Sequence, residues 1–362
     1  MEFKGEIGVQ LATRPGNQYS TPDLVRLAQA AYEQGIDRVW IDDNLCYRNV
    51  FVLLSTIASK IPVGVGTAIT VPYFRNPVDI ADTLGTISEL VMGRELSIGI
   101  SRGSTGIVPH QLHTLPPIAF MRECVLLLRS LLSGNEVIIA DFPQVAQYYR
   151  FKETARFKLA FKPKSPIKFY HGCSGIRAAR LAGEIMDGII ISGLYLALLR
   201  ANRVGEIINA AMSTAHQKQG HSSGESNFVR ACEINISISK DGDKAIQSPK
   251  AHLAHVIPGS YDRLGLTDQL GISKQKVELL KEVAQKSTSV QELTDLVSDE
   301  DVKKCYIAGT PDDCREELLE VLDRTIKLGF DRISFKLGPD YKETIELIGK
   351  EIMPELVGRG SE

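Results

Sequence analysis

Apolar residues along the chain form short continuous runs, typical of buried strands, and longer stretches in which they recur at helical spacing. The clearest unit covers about residues 62–104. A β-rich segment from Ile61 to Thr70 precedes a helix that opens at Asn76 or Pro77, and a short buried strand follows from Leu96 to Ile100. Two parallel strands joined by a helix end at the same edge, so we expect a ligand at the loops after them. The helix is predicted from the spacing of Ile80, Leu84, Ile87, Leu90 and Val91.

The same alternation of strand and helix continues along the rest of the chain. It predicts eight strands: Gly5 to Leu11, Asp37 to Ile41, Ile61 to Thr70, Leu96 to Ile100, Ile167 to His171, Asp187 to Ser192, Phe228 to Ser239 and Asp331 to Phe335. The helices between them include Arg48 to Ser59, Pro116 to Leu132, Ser174 to Gly183, Tyr195 to Gln219, 311–328 and Tyr341 to Ile352. Eight such units predict an α/β fold, a (β/α)8 TIM barrel spanning 1–362 as a single domain.

Two segments interrupt this rhythm and are interpreted as insertions. Residues 135–165 are rich in aromatic side chains and alternate like a strand pair, which predicts a hairpin or lid over the barrel mouth. Residues 240–300 read as several helices and are longer than a plain crossover. Insertions at these places are expected to shape a substrate pocket.

Composition narrows the class of protein. The 362 residues are 43% hydrophobic and 24% charged, which is typical of a soluble globular protein. A formal charge of −2 argues against a nucleic-acid partner, and the sequence shows neither a signal peptide nor a membrane-spanning run. Six cysteines without a CxxC pair indicate reduced thiols, so we expect a cytoplasmic protein. His110 and His113, like His252 and His255, are three apart without a third ligand, so no metal site is predicted.

Four stretches of the predicted barrel carry a family pattern: VWIDDNLCYRNVFV (39–52), VPYFRNPVDIADTLGTISELVMGRELSIGI (71–100), GCSGIRAARLAGEIMDGIIIS (172–192) and AGTPDDCREELLEVLDRTIKLGFDRISF (308–335). In order and spacing they resemble the bacterial luciferase-like superfamily of flavin and deazaflavin TIM barrels. The chain is most similar to its coenzyme F420-dependent branch, which includes methylenetetrahydromethanopterin reductase. The F420 assignment depends mainly on YRNVF and on Thr70 with Pro72-Tyr73. Neither insertion is covered.

The resemblance implies where a deazaflavin ring would lie. In F420-binding relatives the strand that matches 63–70 ends in a bulge with a non-proline cis peptide behind the ring, here at Ala68–Ile69, beside Thr70. An ordinary trans strand end is the alternative. Asp43 and Asn44 stand where the family often has Asp-His beside the ring; alternatively they form a solvated pair that caps the next helix.

Two loops after strands are further candidates for cofactor binding. The loop with Gly99, Ser101 and Gly103, which ends at Ser104, matches the family loop beside the ribityl chain and the substrate face, although a tight turn would also explain it. The segment 172–177 lies between a strand and a helix, where backbone N–H groups hold phosphate well. The alternative there is a capped helix with a surface arginine. The candidate residues for this phosphate and tail site are Gly172, Cys173, Ser174, Gly175, Arg177, Ser192 and Gly193.

The chain also departs from the reductases that it resembles. They carry a glutamate on the first strand where this chain has Gln10, and a Pro-Gly-Asp loop where Ser101-Arg102-Gly103 stands here. An amide removes the carboxylate that would handle a proton, so the pterin reaction itself stays open. His171 ends a barrel strand and is a further polar candidate, or a hydrogen-bonded structural residue. We therefore take Gln10, Asp43, Asn44 and His171 as the catalytic candidates.

These observations leave three functional hypotheses. The first is an F420-dependent oxidoreductase that transfers a hydride to or from a small organic or pterin-type substrate. The second is an FMN-dependent monooxygenase of the same superfamily, and the third is a non-enzymatic protein that binds a flavin or deazaflavin. The resemblance also implies a homodimer or larger homo-oligomer. A hydrolase is not favoured, because the Gly99–Gly103 string lacks assignable Asp and His partners.

Overall fold

Eight parallel strands close into a barrel in the computed structural model, which describes residues 3–12, 19–103, 112–218, 227–286, 290–338 and 340–357. Each strand pairs with the next along the chain, and the last pairs with the first, with Gln10 opposite Lys336. This confirms the predicted TIM barrel. The strands are β1 (Glu6–Leu11), β2 (Arg38–Ile41), β3 (Gly64–Thr70), β4 (Leu96–Ile100), β5 (Ile167–Gly172), β6 (Gly188–Ile191), β7 (Val229–Ile238) and β8 (Arg332–Lys336).

The helices that cover the barrel follow the predicted positions closely. Two of them begin at side-chain caps: Asn76 accepts the N–H of Asp79 at 2.8 Å, and Thr310 forms a capping box with Asp313. The predicted helix from Tyr195 to Gln219 was wrong as one unit, because the chain turns at Asn202 with φ of 55°. The helices around the barrel are Thr21–Glu33, Val50–Lys60, Pro77–Ile87, Pro117–Leu132, Ile176–Ile185, Tyr195–Arg200, Val204–Lys218, Pro311–Lys327, Tyr341–Leu347 and Met353–Val357.

The first insertion is mostly not a strand pair. Only Val137–Ile138 pairs with Arg156–Phe157, and between them the chain forms the helix Pro143–Tyr149. The prediction of a hairpin over 135–165 was therefore wrong for most of this segment. Its alternating aromatic residues pack against one another and against the helix Pro117–Leu132, rather than along a strand ladder.

The second insertion is helical, as the sequence indicated. Its elements are Gly242–Gln247, Lys250–Val256, the π-helical turn Ile257–Tyr261, Leu266–Gln269, Lys274–Lys286, Val290–Asp295 and Asp299–Cys305. The following short strand Ile307–Gly309 pairs with the end of β7 outside the barrel ring. Within the described ranges, none of the helices has the length and apolar character needed to cross a membrane.

The barrel interior has three layers. Toward the N-terminal ends of the strands, Arg332 donates to both carboxylate oxygens of Glu95, at 2.9 and 3.2 Å, and pairs with Glu6 at 2.8 Å. Toward the C-terminal ends, polar side chains line the mouth. The middle layer is a small apolar cluster formed by Trp40, Ala68, Tyr170, Ile190 and Ala231.

The ionic layer is expected to link folding stability to acid through Glu95. Burial alone would raise the pKa of Glu95, but the hydrogen bond and charge of Arg332 outweigh it and hold this pKa at about 2, below the ordinary value of 4.5. Because the pKa is lower in the folded state, the stabilisation is complete above pH 4.5 and is lost as the pH falls toward 2. The shift corresponds to about 3 kcal/mol of unfolding free energy.

Urea unfolding at a series of pH values from about 5 to 2 measures this loss. We expect the wild type to lose this part of its stability and Glu95→Gln to lack it. Glu136→Gln, in an exposed pair with Arg156, is the matched control and should keep the wild-type pH dependence. An unchanged acid dependence in Glu95→Gln would contradict the assignment.

Candidate active site at the barrel mouth

The end of β3 is the structural centre of the mouth. The peptide bond between Ala68 and Ile69 is cis, as expected from the resemblance, and the register with β4 shifts between Thr67 and Thr70. Neighbouring elements hold this bulge on both sides: Thr67 Oγ1 donates to Gly99 O at 2.8 Å, and the N–H of Ser101 donates to Thr70 O at 3.1 Å. The hydroxyl of Thr70 is buried and has no hydrogen-bond partner in the described part of the chain.

Gln10 joins β1 to this bulge. Its Nε2 donates to Ala68 O at 2.7 Å, and its side chain is 2% exposed. One N–H of the amide donates to this carbonyl. The other end of the amide, Oε1, is a hydrogen-bond acceptor that has no partner among the described residues. A buried acceptor without a donor is costly, so this oxygen is suited to an N–H or O–H of a ligand.

Two glycines accommodate the bulge, because a side chain at either position would collide with it. A Cβ on Gly99 would lie 2.3 Å from Thr67 O and 3.2 Å from Ile69 Cγ2. A Cβ on Gly172 would lie 2.8 Å from the same Ile69 methyl group and 3.2 Å from Ser101 Cβ. The absence of a side chain at both glycines therefore lets the bulge, with Ile69, pack directly against the backbone of β4 and β5.

A second set of polar groups lines the mouth on β7 and β8 and was missed from the sequence. Lys336 on β8 is paired in register with Gln10 of β1 on one side and with Asn235 of β7 on the other. Glu233 lies two residues before Asn235, on the same face of β7. Asn235 donates through Nδ2 to Gly193 O at 2.8 Å, which leaves its buried Oδ1 without a partner in the described ranges. The signal was present: Glu233 and Asn235 alternate in the otherwise apolar run of β7, and alternate residues of a barrel strand face the interior.

Asp43 faces away from the interior of the barrel. Its N–H continues the strand ladder to Ile69 O at 3.2 Å, so the alternation that points Trp40 inward turns Asp42 inward and Asp43 outward. There Asp43 Oδ2 pairs with Arg75 Nη1 at 2.5 Å. Burial raises the pKa of the Asp43 carboxyl despite the hydrogen bond and charge of Arg75. The pair holds the loop after β3 in place.

Asn44 lies on the adjacent turn, where its Nδ2 donates to Asp42 Oδ2 at 2.7 Å. Asp42 was not a candidate from the sequence, because the family pattern drew attention to the following two residues. The strand alternation identifies it as the carboxylate of this loop nearest the mouth.

His171 also faces the helices rather than the mouth. It shares its strand face with Phe169, a residue of the outer core, while Tyr170 belongs to the interior cluster. Its Nδ1 lies 2.9 Å from Ile100 O, and the side chain is 3% exposed. The geometry supports a structural role in joining β5 to β4.

We expect His171 to stay uncharged at neutral pH. Burial lowers its pKa to about 4, partly opposed by the hydrogen bond with Ile100 O. Because the pKa of His171 is lower in the folded state than the ordinary 6.5, its contribution to stability is lost as the pH falls from 6.5 toward 4. An NMR titration of the imidazole should show no protonation above about pH 5. A midpoint near the ordinary value would contradict the buried geometry.

The predicted phosphate segment lies between β5 and the helix Ile176–Ile185. Gly175 is the N-cap and has no side chain to cap the helix. No capping side chain therefore occupies the N–H groups of the first turn, which can donate to a ligand. Ser174 is half-buried and Arg177 is exposed, so both can reach a ligand. Cys173 contributes only backbone there, because its thiol is buried in the outer core and burial raises its pKa to about 12.

The remaining predicted residues lie at the rim of the mouth. Gly193 has φ of 58°, and its carbonyl accepts from Asn235. Ser192 is half-buried beside it, and the position of a Cβ on Gly193 would be 3.8 Å from Lys336 Nζ. Gly103 has φ of 88° and ends the described part of its loop, so Ser104 and His110 lie outside the described residues.

Taken together, the mouth combines a backbone bulge that packs against two glycines with buried hydrogen-bond acceptors. A planar heterocycle with N–H groups at its edge satisfies both features. Among the described residues, no three or more His, Cys, Asp or Glu side chains are grouped so that they could hold a metal ion.

Several known proteins match this chain in sequence or in structure along most of its length. The sequence model of a family described as luciferase-like monooxygenase matches residues 2–327. The 5,10-methylenetetrahydromethanopterin reductase of Archaeoglobus fulgidus is 29% identical over 350 residues, 93% of this chain and 96% of that protein. The F420-dependent glucose-6-phosphate dehydrogenase of Nakamurella multipartita is 27% identical over 361 residues, 95% of this chain and 96% of that protein. The solved coenzyme F420-dependent tetrahydromethanopterin reductase of Methanopyrus kandleri has a TM-score of 0.74 at 22% identity, covering 98% of this chain and 100% of that one.

Proposed function

Since this chain belongs to the luciferase-like monooxygenase family, we propose that it is a coenzyme F420-dependent oxidoreductase. It transfers a hydride between the deazaflavin and a small organic or pterin-type substrate. The observation that carries the proposal is the bulge at Ala68–Ile69, packed against glycine backbone and close to the buried oxygens Gln10 Oε1 and Asn235 Oδ1, which have no partner among the described residues. Relatives whose names specify F420 or a methanopterin substrate match over nearly the whole chain, which supports this choice of cofactor and chemistry.

The residues at the mouth fit the ring of such a cofactor. Ile69, backed by the backbone of Gly99 and Gly172, would form its wall. Gln10 Oε1 and Asn235 Oδ1 would accept hydrogen bonds from N–H groups at its pyrimidine edge, which removes the cost of leaving them buried alone. When bound, F420 supplies the hydride chemistry, and the protein supplies position and electrostatics.

The tail of the cofactor carries a phosphate, for which we propose the segment 172–177. The N–H groups at the start of the helix Ile176–Ile185 and the charge of Arg177 favour an anion there. Ser174 adds a hydroxyl donor. Lys336, close to Gly193, adds positive charge at the rim and favours an anionic or carbonyl-bearing group.

Gln10 limits the kind of substrate. An amide can hold a hydrogen bond but cannot take up or release a proton near neutral pH, so this position does not act as a general acid or base. Asp42 and Glu233 are the carboxylates whose strand positions face the mouth, and we propose them as the candidates for a proton step. We further propose that the protein acts in the cytoplasm and as a homodimer or larger homo-oligomer, which the family resemblance suggests.

The proposal is tested by following the visible absorbance of F420 with the purified protein. A methylenetetrahydromethanopterin, a secondary alcohol and a sugar phosphate should be offered in parallel, in both directions of hydride transfer. Turnover with any of them supports the proposal. Oxygen consumption with reduced FMN, together with no F420 turnover, would replace it with a monooxygenase activity.

A further inference from the structure

The helix Pro143–Tyr149 of the first insertion is attached to the loop that follows β3. Tyr149 Oη donates to Arg75 O at 2.7 Å and also contacts Pro72 O. The neighbouring Tyr148 Oη donates to Tyr73 O at 3.1 Å. Two successive tyrosines thus bind three carbonyl groups of one four-residue loop.

The other end of this helix is fixed to the outer layer of the barrel. Glu123, on the helix Pro117–Leu132, accepts the N–H groups of Gln144 and Val145 at 2.7 and 3.1 Å. These are N–H groups of the first helical turn, which need partners from outside the helix. The ring of Tyr149 also contacts that of Phe120 on the same helix Pro117–Leu132, with centroids 6.3 Å apart, so the C-terminal end of the short helix packs against the outer layer as well.

The loop in turn contacts the bulge through Asp43. Arg75 reaches Asp43 Oδ2 at 2.5 Å, and the N–H of Val71 donates to the same oxygen at 3.4 Å. The Asp43 side chain is 0% exposed and that of Arg75 is 17% exposed, so solvent screens this pair weakly. The backbone N–H of Asp43 then donates to Ile69 O at 3.2 Å, within the bulge.

We propose that the helix Pro143–Tyr149 is a brace that sets the position of the Ala68–Thr70 bulge from outside the barrel, with Tyr149 as its positioning residue. The connection runs from Tyr149 through Arg75 and Asp43 to Ile69. This role differs from that of a lid, because the tyrosines contact loop backbone and not the space above the mouth. The consequence for cofactor affinity rests on the proposed function, whereas the brace itself does not.

Tyr195 offers a matched control. It is fully buried on the β6 side of the barrel, and its hydroxyl lies 2.7 Å from Thr325 Oγ1. Tyr195→Phe removes a hydrogen-bonded hydroxyl, as Tyr149→Phe does, and leaves the ring in place. The two variants therefore share the general cost of the deletion and differ in their connection to the bulge.

The test is hydrogen–deuterium exchange on the protein without any cofactor. In Tyr149→Phe we expect the amides of Asp43 and Val71 to exchange about tenfold faster than in the wild type, since the hydroxyl that contacts two loop carbonyls, one of them that of Arg75, is lost. Tyr148→Phe, which loses one bond, should show a smaller increase. Tyr195→Phe should leave these amides unchanged. Equal exchange at Asp43 and Val71 in Tyr149→Phe and Tyr195→Phe would overturn the brace.

A titration with F420 tests the consequence separately. The dissociation constant should rise about tenfold in Tyr149→Phe and stay within twofold in Tyr195→Phe. Faster exchange with an unchanged dissociation constant would overturn the link between brace and cofactor. Failure of the wild type to bind F420 would overturn the proposed function, while the exchange experiment would still decide on the brace.

Discussion

Replacing Arg332 by methionine is expected to lower the free energy of unfolding by about 3–5 kcal/mol, the largest loss of stability that we predict for a single substitution. Arg332 is 9% exposed and binds both Glu95 and Glu6, and its Nη1 also donates to Tyr170 Oη at 2.9 Å. Its removal leaves the Glu95 carboxylate buried at the N-terminal end of the barrel with only neutral donors. Methionine keeps most of the volume, so the loss measures the unpaired charge rather than a cavity.

Urea unfolding at neutral pH measures this effect, with Arg156→Met as the control. Arg156 pairs with Glu136 on the surface, with side chains 58% and 52% exposed, so its loss should cost no more than about 1 kcal/mol. Adding Glu95→Gln to Arg332→Met should recover part of the stability, because the buried charge is then gone. Similar losses for Arg332→Met and Arg156→Met would show that the ionic layer does not act as described.

Substituting Gly99 by alanine is expected to weaken F420 binding by about 100-fold, or 2.7 kcal/mol. The new Cβ would lie 2.3 Å from Thr67 O and 3.2 Å from Ile69 Cγ2, so the bulge must move, and with it Ile69, against which the ring is proposed to lie. Overpacking should also lower the unfolding free energy by about 1–3 kcal/mol. A fluorescence titration with F420 and a urea unfolding curve give the two quantities.

Gly188→Ala separates the loss of binding from the loss of stability. A Cβ there would lie 2.2 Å from Val229 O and 2.8 Å from Tyr170, so the crowding is similar, but Gly188 begins β6 at the end of the barrel away from the mouth. We expect comparable destabilisation and an F420 dissociation constant close to that of the wild type. If both variants bind F420 equally well, the bulge against Gly99 is not part of the cofactor site.

The barrel could be predicted because its determinants are local. Helix caps such as Asn76 and Thr310 act within three residues, and buried strands show as short apolar runs. The first insertion could not be assigned in the same way. Its alternating aromatic residues gave a strand pattern, yet tertiary packing against the helix Pro117–Leu132 made the segment around Tyr149 helical.

The pairs that hold the barrel and the loops of its mouth were harder to predict because their members are distant along the chain. Glu95 and Arg332 are 237 positions apart, and Asp43 and Arg75 are 32 apart. Sequence motifs located the loop after β2 but not which of its carboxylates faces the mouth, since this depends on the strand register. The resemblance located the cis peptide at Ala68 because that feature depends on a local stretch.

The most direct test of the central claim is a pair of equilibrium titrations of the purified protein, one with F420 and one with FMN. We predict that F420 binds at least about 100-fold more tightly than FMN. We also expect Gln10→Leu to weaken F420 binding, since the ring edge then loses a buried acceptor. Tighter binding of FMN, or binding of F420 that is indifferent to Gln10→Leu and Gly99→Ala, would contradict the placement of a deazaflavin at this mouth.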